Sequence, residues 1–351
     1  MRIGIPRERK PFEGRVVLVP AACADLITHG QQVFMESGAG RLSGFENQAY
    51  EAVGVTVVPD GPALYESAEL IVKVKEPIDE ELPWLRRQHL LFCYLHLAAN
   101  EALTRRLTDI GLTAVAFETV QEADGSLPLL APMSDIAGRL AAQVGTHLLH
   151  MPQGGKGLLL GGLPGARRGR VVIIGAGVAG GNAAVVAASL GAQVTVFDRQ
   201  RGRLEHMRTL GPNVTALYPY GQAIRGAVRQ ADLVIGAVLI PGARAPHVVD
   251  AETVRHMEQG SVVIDISVDQ GGCIETTRPT TYAQPTYVWE GIVHFAVTNM
   301  PGAVPHSATE AISAAVLHYL LQLTDTQWRQ NPALAAGVNV EAGRIVHPAL
   351  K

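Results

Sequence analysis

The chain reads as α/β, two Rossmann-like doubly wound domains with parallel sheets and a cleft between them. Three observations predict this. Short runs rich in Val and Ile alternate with Ala-rich stretches of helical length, in two successive series, which is the signature of repeated βαβ units. Glycine is abundant at 37 of 351 residues while only 5% are aromatic, a profile suited to many tight strand-to-helix turns. The length corresponds to about two domains of roughly 150 residues.

In the first series, residues 2–5, 32–36, 55–58, 70–74, 90–95 and 114–117 read as strands. A helix over 133–151 follows, with Pro132 placed to begin it and Ser134 and Asp135 in its first turn. Residues 153–169 hold seven glycines and read as an irregular segment, with residues 154–157 a flexible loop. The second series has strands at 170–174, 193–197, 233–238, 261–266 and 294–297. After Pro305, the spacing of Ala308, Ile312, Ala315, Val316, Tyr319, Leu320 and Leu323 predicts a buried helix.

Composition narrows the function classes. With Lys plus Arg 29 against Asp plus Glu 32, the formal charge is −3, too balanced for an electrostatic nucleic-acid binder. Three widely spaced cysteines, Cys23, Cys93 and Cys273, without any CxxC pattern, indicate neither a disulfide framework nor a thiolate zinc site. No apolar signal segment or membrane-length run is present, so a cytoplasmic protein without a membrane partner is expected.

The sharpest motif is Val171-Val172-Ile173-Ile174-Gly175-Ala176-Gly177-Val178-Ala179-Gly180, an apolar strand running through GxGxxG into an Ala-rich helix. Gly175 permits the tight turn, Gly177 lets the backbone approach a pyrophosphate, and Gly180 allows close helix-to-strand packing. The next strand ends in Asp198, where a carboxylate accepts hydrogen bonds from adenosine ribose hydroxyls, and this favours NAD. Arg199, Arg201 and Arg203 stand nearby and offer an alternative, the 2′-phosphate of NADP.

In the first series Lys73 and Lys75 end one strand, and Tyr94 and His96 end the next, so lysine and imidazole are expected to converge. The alternative is charge clustering where strands meet solvent. Asp269 follows the strand at 261–266 and either faces a cleft or only forms a turn before Gly271-Gly272, with Asp265 an equally acidic neighbour. Gly154-Gly155-Lys156-Gly157 lacks P-loop spacing, and His147 with His150 lack partner ligands, so no phosphate loop or zinc site is assigned.

With these residues assembled, the chain closely resembles the L-alanine dehydrogenases from Arg2 to about Leu334. The likeness is carried by Arg15-Val16, Lys73-Val74-Lys75-Glu76-Pro77, Leu95-His96-Leu97-Ala98, Phe117-Glu118-Thr119-Val120, Ala131-Pro132-Met133-Ser134, Ala137-Gly138-Arg139, Asp265-Ile266-Ser267-Val268-Asp269-Gln270-Gly271-Gly272 and Thr298-Asn299-Met300-Pro301. It implies a catalytic domain of residues 1–128 plus 306–351 and an NAD-binding domain of residues 129–305. It also implies reversible, NAD-dependent oxidative deamination of L-alanine to pyruvate and ammonium, and a homo-oligomer, usually a hexamer and less often a dimer.

The resemblance also implies roles for individual residues, by their position in the matched motifs. Arg15 and Lys75 hold the substrate carboxylate, with Tyr94, Met133 and Asn299 lining the substrate pocket. His96 is the acid/base on the substrate oxygen, and Asp269 pairs with the amine or activates water. Ser134, Gly175 to Gly180 including Ala176, Val178 and Ala179, and then Asp198, Arg203, Val238, Leu239, Ile266, Val268, Asp269, Asn299 and Met300 contact the cofactor. Glu118 stands where some relatives have a carboxylate linked with magnesium, but one carboxylate does not make a metal site, and none is assigned. Pro219-Tyr220 replaces serines frequent near the adenosine, and Tyr94 replaces a frequent phenylalanine. Two rivals remain: another amine-forming dehydrogenase, such as carboxyethylornithine synthase or a lysine-type enzyme, and a noncatalytic NAD-binding module like that of transhydrogenase.

Overall fold

The computed structural model describes residues 1–238 and 245–350; Leu239, expected at the cofactor, lies outside the described residues. Two compact units are present, Met1–Met133 with Gly302–Lys351, and Ser134–Pro301.

The first unit begins with β1 (Arg2–Ile5), α1 (Pro20–Thr28), β2 (Gln32–Glu36), α2 (Asn47–Glu51), β3 (Thr56–Val58), α3 (Gly61–Ser67), β4 (Leu70–Val72), β5 (Leu90–Cys93), α4 (Glu101–Ile110) and β6 (Thr113–Ala116). The second unit takes up the chain within α5 (Ala131–Leu148) and continues through β7 (Arg170–Ile174), α6 (Val178–Ser189), β8 (Gln193–Phe197), α7 (Arg201–Arg208), β9 (Val214–Leu217), α8 (Gly221–Arg229), β10 (Leu233–Gly236), α9 (Ala251–Arg255), β11 (Val262–Asp265), β12 (Thr286–Trp289) and β13 (Ile292–Phe295). The first unit is completed by α10 (Pro305–Leu323), α11 (Pro332–Ala336), β14 (Val338–Glu341) and β15 (Arg344–Ile345).

Both sheets carry the doubly wound order. The first runs β15-β14-β6-β5-β4-β1-β2-β3 and the second β12-β13-β11-β10-β7-β8-β9. All pairings are parallel except those of β14 with β6 and β15 and of β12 with β13. Strand order therefore reverses between β1 and β4 and between β7 and β10, and in such sheets ligands bind beyond the carboxyl ends of strands at that reversal.

Strands covered on both faces read as unbroken apolar runs, and β4, β10 and β11 are buried throughout. Helix boundaries follow from caps. The Asp60 side chain accepts the Ala63 N–H at the start of α3, Asn100 does the same for α4 through Leu103, and Gly111, at φ +79, ends α4. On α6 the small residues Ala183, Ala184 and Ala187 are wholly buried, which brings the helix close to its sheet.

Several expected elements shift. The strands expected at 70–74 and 90–95 end at Val72 and Cys93, although Val74 and Leu95 are buried and the segments still share hydrogen bonds from the Lys73 N–H to the Phe92 carbonyl and from the Tyr94 N–H to the Val74 carbonyl. The strand expected at 294–297 is Ile292–Phe295. The helix expected over 133–151 spans Ala131–Leu148, since the residue before Pro152 disfavours helix and a 3-10 turn, Met151–Gln153, follows. The segment after it is built rather than loose. A Cβ on Gly155 would lie 2.2 Å from the Leu148 carbonyl oxygen, and Lys156 is ion-paired with the buried carboxylate of Asp232.

Candidate active site

At the carboxyl end of β7 the chain makes the glycine turn into α6. Gly175 sits at φ +100, a conformation that favours glycine, and a Cβ there would meet the Ala237 carbonyl oxygen at 2.5 Å. A Cβ on Gly180 would lie 1.8 Å from the Gly175 carbonyl oxygen, so α6 packs on the turn only without a side chain. Gly177 differs from both. A Cβ there would meet only Arg203 Nη1, at 3.7 Å, and Gly177 opens α6 with no capping side chain.

Beside the turn, the Asp198 carboxylate accepts the Ala176 N–H at 2.7 Å through one oxygen and the Gln200 N–H at 2.7 Å through the other. Arg203 Nη1 approaches it to 3.6 Å, while Arg201 is turned outward to Glu205. A carboxylate has about four lone-pair sites, so Asp198 retains acceptor capacity for hydroxyls. An uncapped N-terminus of a twelve-residue helix, a glycine with open space at its Cβ position and an adjoining carboxylate together fit a pyrophosphate and ribose.

The same unit places the other expected residues on three segments. Ser134 lies on the first turn of α5, which crosses α6 so closely that a Cβ on Gly138 would stand 2.0 Å from the Ala179 carbonyl oxygen. Asp135 also accepts a hydrogen bond from Asn182 at 2.7 Å. After β11, Ile266, Val268 and Asp269 sit on a 3-10 turn, Ile266–Gln270. Asp265 and Asp269 differ sharply in environment. Asp265 is buried and accepts from the backbone of Ser267, Cys273 and Ile274 and from the Thr277 hydroxyl, pinning the turn, whereas Asp269 is exposed. Burial pushes the Asp265 carboxyl up against those hydrogen bonds. Val238 follows β10, Asn299 adopts a left-handed φ of +63, and Met300 is buried, its carbonyl accepting the Tyr282 hydroxyl.

In the first unit, Arg15 is buried and ion-paired with Glu13 through its Nε and Nη2, and its Nη1 stands 3.0 Å from the Met133 sulfur. Burial works against the Arg15 charge, yet the Glu13 contact raises its pKa. Tyr94 donates its hydroxyl to the Leu129 carbonyl and packs edge-on against Phe117 at 5.0 Å, with the His96 ring 5.9 Å away. Arg15, Met133, Tyr94 and His96 are thus tied into one neighbourhood.

The expected convergence of Lys73 with imidazole is not found. Lys73 is 1% exposed and held by both oxygens of Glu81, at 2.6 and 2.7 Å, with Glu8 at 3.8 Å; beyond β4 its side chain turns into a buried ion cluster. Lys75 is half-buried. Its backbone is held by Glu8, which accepts the Val74 N–H at 2.6 Å and the Lys75 N–H at 3.3 Å. Burial pushes the Glu8 carboxyl up to about 7, with Lys73 opposing.

His96 lies just past β5 at φ +50, its side chain 44% exposed. Two carboxylates serve it. Glu118 accepts the His96 N–H at 2.6 Å and the Leu95 N–H at 3.2 Å, and the Glu76 carboxylate lies 3.6 Å from Nδ1 while also pairing with Lys10. Glu118 is therefore a backbone anchor. Among the described residues no group of three or more His, Cys, Asp or Glu is arranged to hold a metal. Glu8, Glu76 and Gly138 were not singled out as working residues by sequence reasoning, although Glu76 and Gly138 lie inside the quoted motifs; Glu118 was considered there only for a metal, which was not assigned.

Fold and turn define the class, an α/β protein of two doubly wound sheets, the second carrying a nucleotide-binding turn. The N-terminal domain of the family described as alanine dehydrogenase/PNT matches residues 4–137, and its C-terminal domain matches residues 141–348. The chain belongs to the alanine dehydrogenase/PNT family. It is 46% identical to an alanine dehydrogenase of Halomonas elongata, over 100% of this chain and 96% of that one. With the Bacillus subtilis alanine dehydrogenase it shares 47%, over 100% and 94%. A solved L-alanine dehydrogenase superposes with a TM-score of 0.96 at 49% identity, covering 100% of this chain and 98% of that one. A solved transhydrogenase from Sinorhizobium meliloti gives 0.86 at 26%, covering 99% and 100%. No helix among the described residues is long and apolar enough to cross a membrane.

Proposed function

We propose that this protein is an NAD-dependent alanine dehydrogenase, interconverting L-alanine, NAD⁺ and water with pyruvate, ammonium, NADH and a proton. The observation that carries the reading is identity of 46% or more with alanine dehydrogenases along the whole chain. The glycine turn and Asp198 support the cofactor. Gly177 and the start of α6 receive the pyrophosphate and Asp198 the adenosine ribose, with Arg203 beside it. When bound, NAD⁺ supplies the acceptor for the hydride leaving the alanine α-carbon.

The residues of the chain then divide the remaining work. Arg15 and Lys75 hold the substrate carboxylate, and the buried Arg15–Glu13 pair fixes the guanidinium plane before substrate arrives. Tyr94 and Met133 limit the space for the substrate methyl group. With the alanine nitrogen deprotonated to the amine, loss of hydride leaves an iminium; water adds to its carbon as His96 accepts the water proton, and a carbinolamine results, whose nitrogen then takes up that proton and whose hydroxyl proton returns to His96 as the C–N bond breaks. Asp269 stabilises the cationic nitrogen and ammonia departs as the carbonyl forms.

The transhydrogenase likeness keeps a second reading open, a noncatalytic dinucleotide-binding module. One assay separates them. NADH absorbance is followed with purified protein, pyruvate and ammonium, with ammonium omitted, NADPH substituted, or larger 2-oxo acids supplied as controls. NADH oxidation that requires both pyruvate and ammonium supports the proposal; tight NADH binding without turnover on any amine overturns it in favour of the module.

A further inference from the structure

We propose that Glu76 is the positioning residue of His96, its carboxylate holding the imidazole through Nδ1 so that Nε2 is the nitrogen that exchanges a proton with the substrate oxygen. This rests on the alanine dehydrogenase reading and extends the site by a residue with a separate job. Three observations carry it. Glu76 Oε2 is buried with no hydrogen-bond partner, and the polar atom it faces is His96 Nδ1 at 3.6 Å, so a small rotation of the ring closes the bond. Glu76 Oε1 pairs with Lys10, which fixes the carboxylate plane from its other side. The His96 backbone is separately pinned by Glu118 at φ +50, a conformation that non-glycine residues hold only when their surroundings enforce it.

One carboxylate therefore sets the backbone and another faces the ring. A carboxylate at Nδ1 selects the tautomer with the proton on that nitrogen and leaves Nε2 basic. Burial opposes ionisation of Glu76, but His96 and Lys10 hold its carboxyl well below the usual range, so it acts as an acceptor only. The proton balance is simple. As water adds to the iminium carbon, its proton passes to Nε2; the Nδ1 proton stays on the ring, Glu76 faces the resulting imidazolium, and the same Nε2 proton returns in the reverse direction. No proton reaches Glu76.

The test compares Glu76→Gln, Glu76→Asp and Lys10→Met in the full chain by steady-state turnover of pyruvate, ammonium and NADH, with NADH affinity and Tm in parallel. Glu76→Gln is expected to lower kcat by about 10- to 100-fold, with KM for pyruvate and NADH affinity each within about threefold of the parent. Glu76→Asp, which keeps the charge on a shorter arm, should recover kcat to within about tenfold, and Lys10→Met, which keeps the carboxylate but releases its plane, should lose kcat by less than Glu76→Gln does. If Glu76→Gln does not fold, Glu76→Asp decides: a fall in kcat of about three- to tenfold at constant KM supports the role, and an unchanged kcat overturns it. The proposal also fails if Glu76→Gln keeps parental kcat, if its loss is shared by KM and NADH affinity, or if Lys10→Met loses as much as Glu76→Gln. A parent protein without pyruvate and ammonium turnover removes the alanine dehydrogenase reading itself and this inference with it, whereas parental turnover with an indifferent Glu76→Gln removes only this inference.

Discussion

Gly177 and Gly180 stand three residues apart in one turn, and alanine should act on them in opposite ways. At Gly180 the new Cβ would lie 1.8 Å from the Gly175 carbonyl oxygen and 2.9 Å from its carbon, both backbone atoms. Helix α6 must retreat by roughly 1.2 Å to bring even the oxygen to 3.0 Å, which strips contact from Ala183, Ala184 and Ala187. Overpacking against backbone costs about 3 kcal/mol, equivalent to a Tm lower by about 6–12 °C in a unit of this size. At Gly177 a Cβ meets only Arg203 Nη1, at 3.7 Å, and φ is −70, so Gly177→Ala should unfold within about 2 °C of the parent. That methyl occupies the space assigned to the pyrophosphate. NADH affinity should therefore fall by about 10- to 100-fold, or roughly 1.4 to 2.7 kcal/mol. Thermal unfolding by circular dichroism and an NADH fluorescence titration read the two effects separately. Parental NADH affinity in a folded Gly177→Ala would refute placement of the pyrophosphate at this turn, and a parental Tm in Gly180→Ala would refute the packing argument.

Other perturbations test the remaining parts. His96→Ala and Asp269→Ala should each lower turnover by about 100-fold or more, with NADH binding nearly intact in His96→Ala, which touches no part of the glycine turn; unchanged turnover in stopped assays removes the assignment. Asp198→Ala should weaken NADH binding and relax discrimination against NADPH, because the ribose acceptor and the repulsion of a 2′-phosphate disappear together; titration with both cofactors checks it. Asp232 is buried and pairs with Lys156 and Arg167; burial opposes its charge, but those partners lower its pKa from 3.8 to about 2. A depressed carboxyl contributes stability that is present above its unfolded pKa and is lost as pH falls through the folded value. Denaturant unfolding should thus show about 2 kcal/mol of stability lost between pH 4 and pH 2, a loss that Asp232→Asn abolishes.

The parts of the site legible in the chain were those that repeat a local rule. Strand, glycine turn, helix and terminal carboxylate are contiguous in sequence, and the turn from Gly175 to Gly180 and the end of β8 at Asp198 lie where that pattern put them. Covered strands were legible because both faces are apolar. The edge strands β9, β12 and β15 were not, being short, largely exposed and stabilised by a neighbour rather than by their own pattern, and neither was β14, a four-residue strand that lies inside the first sheet between β15 and β6.

By itself, then, the sequence determined the fold class, the nucleotide turn and the residue types able to bind a carboxylate and move a proton, since each depends on neighbours within a few positions. Tertiary structure alone decided which charges are spent on the scaffold. Lys73 is neutralised by Glu81, Asp265 is consumed by the turn that carries Asp269, and Glu118 and Glu76 attend His96 from segments 22 and 20 residues away. The reason is physical: a buried charge must find its partner in space, and the parallel sheet brings strand ends together whatever their separation along the chain.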